Sequence, residues 1–218
     1  MKKILLITTG GTIASIETDK GMIPSLDGDK LLSYLPEVKD ICDVDIIGLY
    51  NFDSTNIYYK HWLKIAKTIE ENYESYDGFI ICHGTDTMSY TASALSYLIQ
   101  DSQKPIVLTG AQRPINLEIS DAKTNLLDSF TYACHDDSCG VVLIFNGNVI
   151  LGTRSRKART KSFDAFISVD FPKLAIVKDN MVVPYITNLK KETKFYDKLC
   201  KKVGLMKLIP GTDEEVLE

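Results

Sequence analysis

The feature that most constrains the fold is a series of short apolar runs separated by segments with helical periodicity. Runs long and apolar enough to form buried strands lie at residues 3–8, 44–49, 78–82, 105–109 and 140–146. Between them, helical patterns lie at residues 27–35, 59–73, 89–99 and 120–134. Because strands that alternate with helices form parallel βαβ units with right-handed crossovers, this order predicts an α/β fold.

We therefore predict a flavodoxin-like or Rossmann-like architecture, with a mostly parallel sheet and helices on both faces. Asn146-Gly147-Asn148 turns the chain sharply into residues 149–151, which predicts an added β-hairpin. In such sheets the chemistry collects at the carboxyl ends of the strands. Polar segments that follow predicted strands should therefore meet at one edge of the sheet, and they are residues 8–12, 51–56, 83–87 and 109–113.

The composition changes beyond about residue 180. Residues 190–202 are dense in charge, which indicates a solvated linker or an exposed helix. Residues 203–209 (VGLMKLI) predict another strand, and residues 213–217 resemble the start of a helix. We expect a first domain over residues 1–180, a linker over 181–202, and the truncated start of a second α/β domain over 203–218.

Charge and cysteine content narrow the classes of function. The chain has 25 Lys and Arg against 29 Asp and Glu, and such a mildly acidic balance argues against binding to nucleic acid. No apolar run reaches the ~18 residues of a membrane span, and the N-terminal run, residues 4–7, is too short for a signal peptide. The five cysteines form no CxxC pair. We expect a cytoplasmic protein with free thiols, no metal site and no membrane partner.

The first polar segment is Thr8-Thr9-Gly10-Gly11-Thr12. Two glycines after a buried strand permit close approach of the backbone and positive φ, and Thr12 then presents a hydroxyl at the strand end. Neither GxGxxG nor GxxxxGK[ST] occurs there, so the segment does not indicate a nucleotide cofactor, and we expect no cofactor. A tight turn without function is the alternative.

The second segment, His83-Gly84-Thr85-Asp86-Thr87, places a hydroxyl beside a carboxylate. This pair can bind an amino acid or help to move a proton. Alternatively, Asp86 or Thr87 caps the following helix. Cys82 and His83 should not form a nucleophile–base pair, because adjacent strand residues point to opposite faces.

Two further segments carry weaker local signals. Residues 153–161 (TRSRKARTK) contain five cations in nine residues, which is usual for a solvated surface. A lysine beside a Thr-Asp pair would differ, because it could keep the carboxylate ionised and lower the cost of a threonine alkoxide. Residues 53–56 are four small polar residues, which also suit an Asx or Ser/Thr turn.

Taken together, these segments resemble the bacterial-type L-asparaginase/glutaminase family. TTGGTIAS at residues 8–15 is similar to its first signature, and GFIICHGTDTMSYTASAL at 78–95 to its second. VLTGAQRP at 107–114 and the lysine of the 153–166 stretch also match in order and spacing. The similarity covers roughly residues 1–180 and is strongest to the cytoplasmic, type I branch.

The resemblance assigns a role to particular residues. It implies Thr12 as the nucleophile, and Thr85, Asp86 and Lys157 as a second threonine with its aspartate and lysine. It implies Ser54 as the group that holds the α-carboxylate of the substrate. It places Thr55, Gly11, Ala111 and, as a lid position, Met22 around that substrate.

The activity implied is hydrolysis of L-asparagine to L-aspartate and ammonia through an acyl-threonine, with L-glutamine as the other candidate substrate. Direct attack by water, assisted by Thr12, is a rival route. The family's C-terminal domain helps to close the site of a neighbouring subunit, so the resemblance implies a homodimer or homotetramer for the full-length protein. It also implies that the active site of a chain of this length lacks one wall.

One departure and three other hypotheses accompany this resemblance. Many relatives carry a tyrosine on the lid where GMIP (residues 21–24) has Met22, which offers no hydroxyl. Within the enzymes, a glutaminase subunit of a tRNA-dependent amidotransferase is the alternative, although such subunits usually carry an extra N-terminal domain. A non-enzymatic, flavodoxin-like module that binds FMN or a nucleotide is the alternative from another class, and a fragment that only folds is the last.

Overall fold

The structure, a computed structural model, describes residues 1–18, 21–24, 28–186 and 191–213, with the backbone alone at 14, 16–18 and 21–24. The helices are α1 (Gly28–Ser33), α2 (Tyr59–Asn72), α3 (Met88–Leu98) and α4 (Ala122–Ala133). The longer strands are β1 (Lys3–Gly10), β4 (Asp43–Phe52), β5 (Gly78–Cys82), β7 (Pro105–Thr109) and β8 (Gly140–Phe145). The shorter strands are β2 (Ser15–Thr18), β3 (Gly21–Pro24), β6 (Ile99–Gln100), β9 (Asn148–Leu151), β10 (Ser155–Lys157), β11 (Phe166–Ser168), β12 (Ala175–Lys178), β13 (Met181–Pro184) and β14 (Lys194–Phe195).

One sheet of eight strands organises the described part of the chain, in the order β13-β12-β9-β8-β7-β5-β1-β4. The five strands from β8 to β4 are parallel, whereas β9, β12 and β13 extend the sheet in antiparallel fashion. Among the parallel strands, the second along the chain, β4, lies at the edge, and the first, β1, lies between β4 and β5. This is the strand order of flavodoxin-like folds. The predicted α/β class is therefore confirmed.

The apolar runs form strands because both of their faces are covered. In β1, Ile4 and Leu6 belong to one buried cluster, whereas Leu5 and Ile7 belong to the cluster on the opposite face. Helices α1 and α4 bury their apolar residues in the first cluster, and α2 and α3 bury theirs in the second. Helices on both faces were predicted and are confirmed. None of these helices has the length and hydrophobicity needed to cross a bilayer, a statement limited to the described residues.

The predicted hairpin joins β8 to β9. Asn146 and Gly147 have φ values of 49° and 72°, the left-handed pair that a tight two-residue hairpin turn requires. The chain then returns through β12 and β13, which the sequence assigned partly to a linker. Strand β13 pairs with β12, so the main sheet continues beyond residue 180.

The predictions for the C-terminal segment are partly wrong. The structure forms no strand over residues 203–209, where Val203 and Leu205 are 77% and 99% exposed, because no neighbouring strand among the described residues pairs with them. Residues 191–202 form no helix, and β14 pairs with β6 instead. Residues 214–218, which include most of the predicted helix start, lie outside the described part of the chain.

Candidate active site

Three loops at the carboxyl edge of the sheet meet at two glycines and a serine. A Cβ on Gly11 would lie 2.5 Å from the Gly84 nitrogen, and a Cβ on Gly84 would lie 2.6 Å from Oγ of Ser54. Such distances exclude a side chain at either glycine unless the backbone moves. The segments after β1, β4 and β5 are therefore packed directly against one another.

The loop after β7 joins them. A Cβ on Gly110 would collide with the carbonyl oxygen of His83, and it would lie 3.6 Å from Cγ2 of Thr85. The expectation that four polar segments converge at one edge of the sheet is confirmed.

Thr12 lies at the start of a short 3₁₀ turn between β1 and β2. Gly11 precedes it with φ 82° and ψ 177°, a conformation that essentially only glycine adopts. The Ser15 hydroxyl donates to the Gly11 carbonyl at 2.9 Å, and Ile13 is fully buried behind the turn. Thr12 itself is half-buried and directly follows Gly11, the glycine that is in contact with Gly84.

Lys157 brings Thr85 and Asp86 into one cluster. Its Nζ donates to Oγ1 of Thr85 and to Oδ1 of Asp86, both at 2.7 Å. Thr85 is buried, and the side chain of Lys157 is 14% exposed against 58% for that of Asp86. The ion pair is therefore sheltered on the lysine side and open to water on the aspartate side.

Gln112 fixes the direction of the Thr85 hydroxyl. The Thr85 Oγ1 donates to Oε1 of Gln112 at 3.3 Å, so its lone pairs face the Lys157 ammonium. The side-chain amide nitrogen of Gln112, Nε2, donates in turn to the carbonyl oxygens of Thr160 and Ser162, each at 3.1 Å. Gln112 thus links the loop after β7 to the loop that follows Lys157.

The β10–β11 hairpin delivers Lys157 to this edge. Lys157 is paired with Phe166 across the hairpin. Phe166 is buried, and its ring centroid lies 4.9 Å from that of Phe145 at the end of β8. An apolar anchor opposite the lysine therefore fixes the register that sets its position.

Ser54 and Thr55 lie in a short 3₁₀ turn after β4. Ser54 is buried against Gly84, and its carbonyl oxygen accepts a hydrogen bond from Oγ1 of Thr87 at 2.8 Å. Thr55 is exposed, and its N–H donates to the Asp53 carboxylate at 2.8 Å. The Asx turn considered from the sequence is thus present, and the same turn holds Ser54 at the meeting point of the loops.

The remaining predicted residues are placed by their loops. Ala111 is buried between Gly110 and Gln112. Met22 lies in β3, opposite Glu17 of β2, and its side chain lies outside the described part of the structure.

Asp121, at the start of α4, was missed as a site residue from the sequence. Its carboxylate accepts hydrogen bonds from the backbone N–H groups of Gln112, at 2.9 and 3.0 Å, and Arg113, at 3.1 Å. Burial raises the pKa of Asp121, and these donors oppose that rise. Asn125 assists by donating to the Gly110 carbonyl at 2.9 Å. The two side chains hold the loop that carries Ala111.

His83 and Cys82 take no part as a nucleophile–base pair. His83 is fully buried, and burial lowers its pKa to about 4, so it is neutral at pH 7. Its Nδ1 contacts the Gly84 carbonyl at 2.7 Å and its Nε2 contacts the Thr91 hydroxyl at 2.8 Å. Burial raises the pKa of Cys82 to about 12, which makes it a poor nucleophile. His83 therefore orients Gly84 by occupying its carbonyl.

The glycine contact gives a test of this geometry. Gly11→Ala should lower the free energy of unfolding by at least about 2 kcal/mol, because it adds a backbone clash to a strained φ. Gly140 also has a positive φ, 76°, but a Cβ there would have no neighbour within 4 Å. Gly140→Ala should therefore lower the free energy of unfolding by about 1 kcal/mol. Gly204→Ala, in open space, should change stability by less than about 0.5 kcal/mol. Urea unfolding of the three variants checks the order, and a cost at Gly11 no larger than at Gly140 would contradict the close contact.

Comparison with known proteins agrees with this geometry. Residues 3–189 match the model of the family described as "Asparaginase, N-terminal". The chain is 37% identical to an L-asparaginase of Thermococcus kodakarensis, over 99% of the chain and 66% of that relative. It is 39% identical to a subunit of the Glutamyl-tRNA(Gln) amidotransferase of Methanosphaera stadtmanae, over 100% of the chain and 53% of that relative.

Solved structures lead to the same family. The thermostable L-asparaginase of Thermococcus kodakarensis superposes with a TM-score of 0.90 at 35% identity, over 99% of this chain and 66% of that one. A probable cytoplasmic L-asparaginase of Campylobacter jejuni gives a TM-score of 0.79 at 32% identity, over 87% and 58%. The chain thus spans between about half and two thirds of the length of its curated relatives. With the matching fold and the two signatures in contact at the sheet edge, the chain belongs to the asparaginase family and contains its N-terminal domain.

Proposed function

We propose that the site hydrolyses the side-chain amide of L-asparagine to give L-aspartate and ammonia, with Thr12 as the nucleophile. The observation that carries the proposal is the contact of Lys157 with both Thr85 and Asp86, next to Gly84, which is in contact with the glycine that precedes Thr12. A 37% identical relative is named L-asparaginase, which supports the same reaction.

The first half of the reaction uses Thr12. Its Oγ attacks the amide carbon, and backbone N–H groups near Gly11 and Ala111 stabilise the oxyanion that forms. As the C–N bond breaks, the proton of the Thr12 hydroxyl passes to the departing nitrogen, ammonia leaves, and an acyl-threonine remains. The Asp121 and Asn125 contacts keep the loop that carries Ala111 in place, so its donors need no reorganisation during the step.

The second half uses the cluster around Lys157. Thr85 donates its proton toward Gln112 and accepts from Lys157, so it presents a polarised oxygen to a water molecule. Lys157 and Asp86 balance the charge as that water attacks the ester. The ester bond breaks, L-aspartate is released, and a proton of the attacking water passes to the Thr12 oxygen. In the rival route the same water attacks the amide directly and Thr12 only assists.

Substrate recognition falls to the turn after β4. Ser54, buried against Gly84, would bind the α-carboxylate through its hydroxyl. Thr55, exposed beside it, would contact the rest of the amino-acid head group. Met22 would lie on the lid above the nucleophile.

A second candidate, the glutaminase subunit of a tRNA-dependent amidotransferase, is favoured by one observation. A 39% identical relative is named as a subunit of a Glutamyl-tRNA(Gln) amidotransferase. The two candidates differ by one methylene in the preferred amide, which a small pocket discriminates by about 1–3 kcal/mol.

Ammonia release from L-asparagine and from L-glutamine tests the proposal. We expect kcat/KM for L-asparagine to exceed that for L-glutamine at least about tenfold. The assay is run on the chain alone and on the chain fused to the remaining C-terminal third of the Thermococcus kodakarensis relative. A preference for glutamine would favour the amidotransferase subunit, and ammonia from neither amide in either form would contradict an amidohydrolase.

The organisation of the protein is proposed on the same basis. Residues 203–218 would begin a second domain, and the exposed Val203 and Leu205 support this because they would become buried in its first strand. The full-length protein would be a homodimer or homotetramer in which that domain closes a neighbour's site. A cytoplasmic location is proposed from the name of the Campylobacter jejuni relative.

A further inference from the structure

A series of side-chain hydrogen bonds connects helix α2 to the loop after β5. Nε1 of Trp62, on α2, donates to Oγ1 of Thr91 on α3 at 2.9 Å. Nε2 of His83 lies 2.8 Å from the same Thr91 oxygen, and Nδ1 of His83 lies 2.7 Å from the carbonyl oxygen of Gly84. Thr91 and His83 are fully buried, and Trp62 is half-buried. We call Trp62, Thr91 and His83 the His83 network.

The donor and the acceptor of each of these hydrogen bonds follow from the last one. The Gly84 carbonyl oxygen can only accept, so Nδ1 of His83 carries a hydrogen and donates it. The ring is neutral at pH 7 because burial lowers its pKa to about 4, and Nε2 therefore keeps a free lone pair. Thr91 donates its hydroxyl hydrogen to that lone pair, and its oxygen accepts from the Trp62 indole. The network therefore has a single direction, from Trp62 to Gly84.

The position of the His83 ring is fixed from two sides. The backbone N–H of His83 donates to the Thr109 carbonyl at 2.9 Å, which ties the residue to β7. The hydroxyl of Thr91 ties the far side of the ring to α3. Because both ends of the residue are held, the donor at Nδ1 occupies a fixed point beside the loop.

This donor determines the orientation of one peptide group. The Gly84 carbonyl and the Thr85 nitrogen belong to the same planar peptide, which lies in a turn beyond the end of β5. By holding the carbonyl oxygen, His83 fixes the plane of that peptide. The plane sets the direction in which the Thr85 side chain leaves the backbone, and so it decides whether Oγ1 of Thr85 reaches Nζ of Lys157, 2.7 Å away.

We propose that Trp62, Thr91 and His83 are positioning residues that hold the Gly84–Thr85 peptide so that the Thr85 hydroxyl meets Lys157. The inference rests on the proposed function, because there Thr85 acts on the attacking water. Ser54 is held separately, since its carbonyl oxygen accepts from Oγ1 of Thr87 at 2.8 Å. A fault in the His83 network should therefore slow turnover without weakening the binding of the substrate.

The tautomer of His83 tests the network without any need for activity. Nitrogen-15 chemical shifts of the labelled protein distinguish a ring nitrogen that carries a hydrogen from one that does not. The His83 signals are assigned by their loss in His83→Asn. At pH 7 we expect the hydrogen on Nδ1 and none on Nε2, which is the opposite of the tautomer that histidine favours in water. A hydrogen on Nε2 would overturn the proposal.

Two amide side chains at position 83 separate the donor from the bulk of the ring. His83→Asn keeps an N–H group near the place of Nδ1 and can still donate to Gly84, but it leaves a void at a fully buried position. His83→Gln fills more of that volume and places its amide near Nε2, but it loses the donor to Gly84. We therefore expect His83→Asn to melt at a lower temperature than His83→Gln and yet to turn over faster.

Thermal melting and ammonia release from L-asparagine measure the two orders. In the form of the protein that turns over, kcat should fall about 10–10²-fold in His83→Gln and by less than about threefold in His83→Asn. KM should rise in neither variant. Rates that follow the melting temperatures, or equal losses of kcat in the two variants, would show that His83 acts only through packing and would overturn its positioning role.

The hydroxyl of Thr91 gives a second pair of variants. Thr91→Val keeps the shape of the side chain without the hydroxyl and should lower kcat about tenfold, whereas Thr91→Ser keeps the hydroxyl and should stay within about threefold of the wild type. Equal rates in the two would overturn the role of Thr91. Ammonia from neither amide in any form of the protein would overturn the proposed hydrolysis and the network's role in it, whereas a hydrogen on Nε2 overturns the network alone.

Discussion

Thr12→Ala should lower kcat for ammonia release from L-asparagine by at least about 10³-fold. The substitution removes the oxygen that would form the acyl bond, and the backbone donors around the substrate remain. The variant should keep the melting temperature of the wild type within a few degrees, because Thr12 is only half-buried and the turn is held by Ser15 and Ile13. Steady-state ammonia release, measured in the form of the protein that turns over, checks the loss.

Thr131→Ala is the matched control for Thr12→Ala. Thr131 lies in the last turns of α4, at the opposite edge of the sheet, where it lines the cleft beside Cys134. Its replacement should change kcat by less than about twofold. If Thr12→Ala retained a tenth or more of the wild-type rate, Thr12 could not be the nucleophile.

Lys157→Met should lower kcat by about 10²–10⁴-fold. The variant keeps an unbranched apolar stem that ends where the Cε atom of the lysine lies, but it loses the ammonium that contacts Thr85 and Asp86 at 2.7 Å. Lys157→Arg should recover little of the loss, because a planar guanidinium cannot replace a compact ammonium that donates to two oxygens from one nitrogen. The rates of both variants with L-asparagine check this expectation.

Lys161→Met provides the control from the same basic segment. Lys161 is exposed, so its replacement removes the same charge from the segment without touching the cluster. Its kcat should stay within about twofold of the wild type. Equal losses at the two lysines would mean that the segment acts through its overall charge and not through the contact of Lys157 with Thr85.

The parallel half of the fold could be predicted because its signal is local. The buried runs that became β1, β5, β7 and β8 are apolar on both faces, as strands covered by helices must be. The convergence of the polar segments could also be predicted, because they follow parallel strands whose carboxyl ends lie at one edge of the sheet. The antiparallel strands β12 and β13 were missed, because they are only four residues long each and one is mostly exposed.

The cluster around Lys157 could not be derived from local pattern alone. Five cations share the segment, and the pairing of Lys157 with Phe166 decides which of them reaches Thr85. That register depends on the packing of Phe166 against Phe145, a contact between distant parts of the chain. The family resemblance identified Lys157, whereas the local pattern identified only the basic segment over residues 153–161.

Gln112 and Asp121 show a second limit of the sequence. Gln112 lies in the VLTGAQRP motif, yet only the structure shows that it fixes the Thr85 hydroxyl. Asp121 is the residue that starts α4, and its carboxylate also holds the loop after β7. The strand predicted at residues 203–209 failed for the opposite reason, since an apolar run forms a strand only where a partner strand is available.

Product partitioning tests the acyl-threonine most directly. L-Asparagine and the β-methyl ester of L-aspartate are each hydrolysed in the presence of hydroxylamine, and the ratio of aspartyl hydroxamate to aspartate is measured. If both substrates pass through the same acyl-threonine at Thr12, this ratio is identical for the two, because the leaving group has already departed. A ratio that differs between the amide and the ester would show that water and hydroxylamine attack the substrate itself, and it would contradict the account.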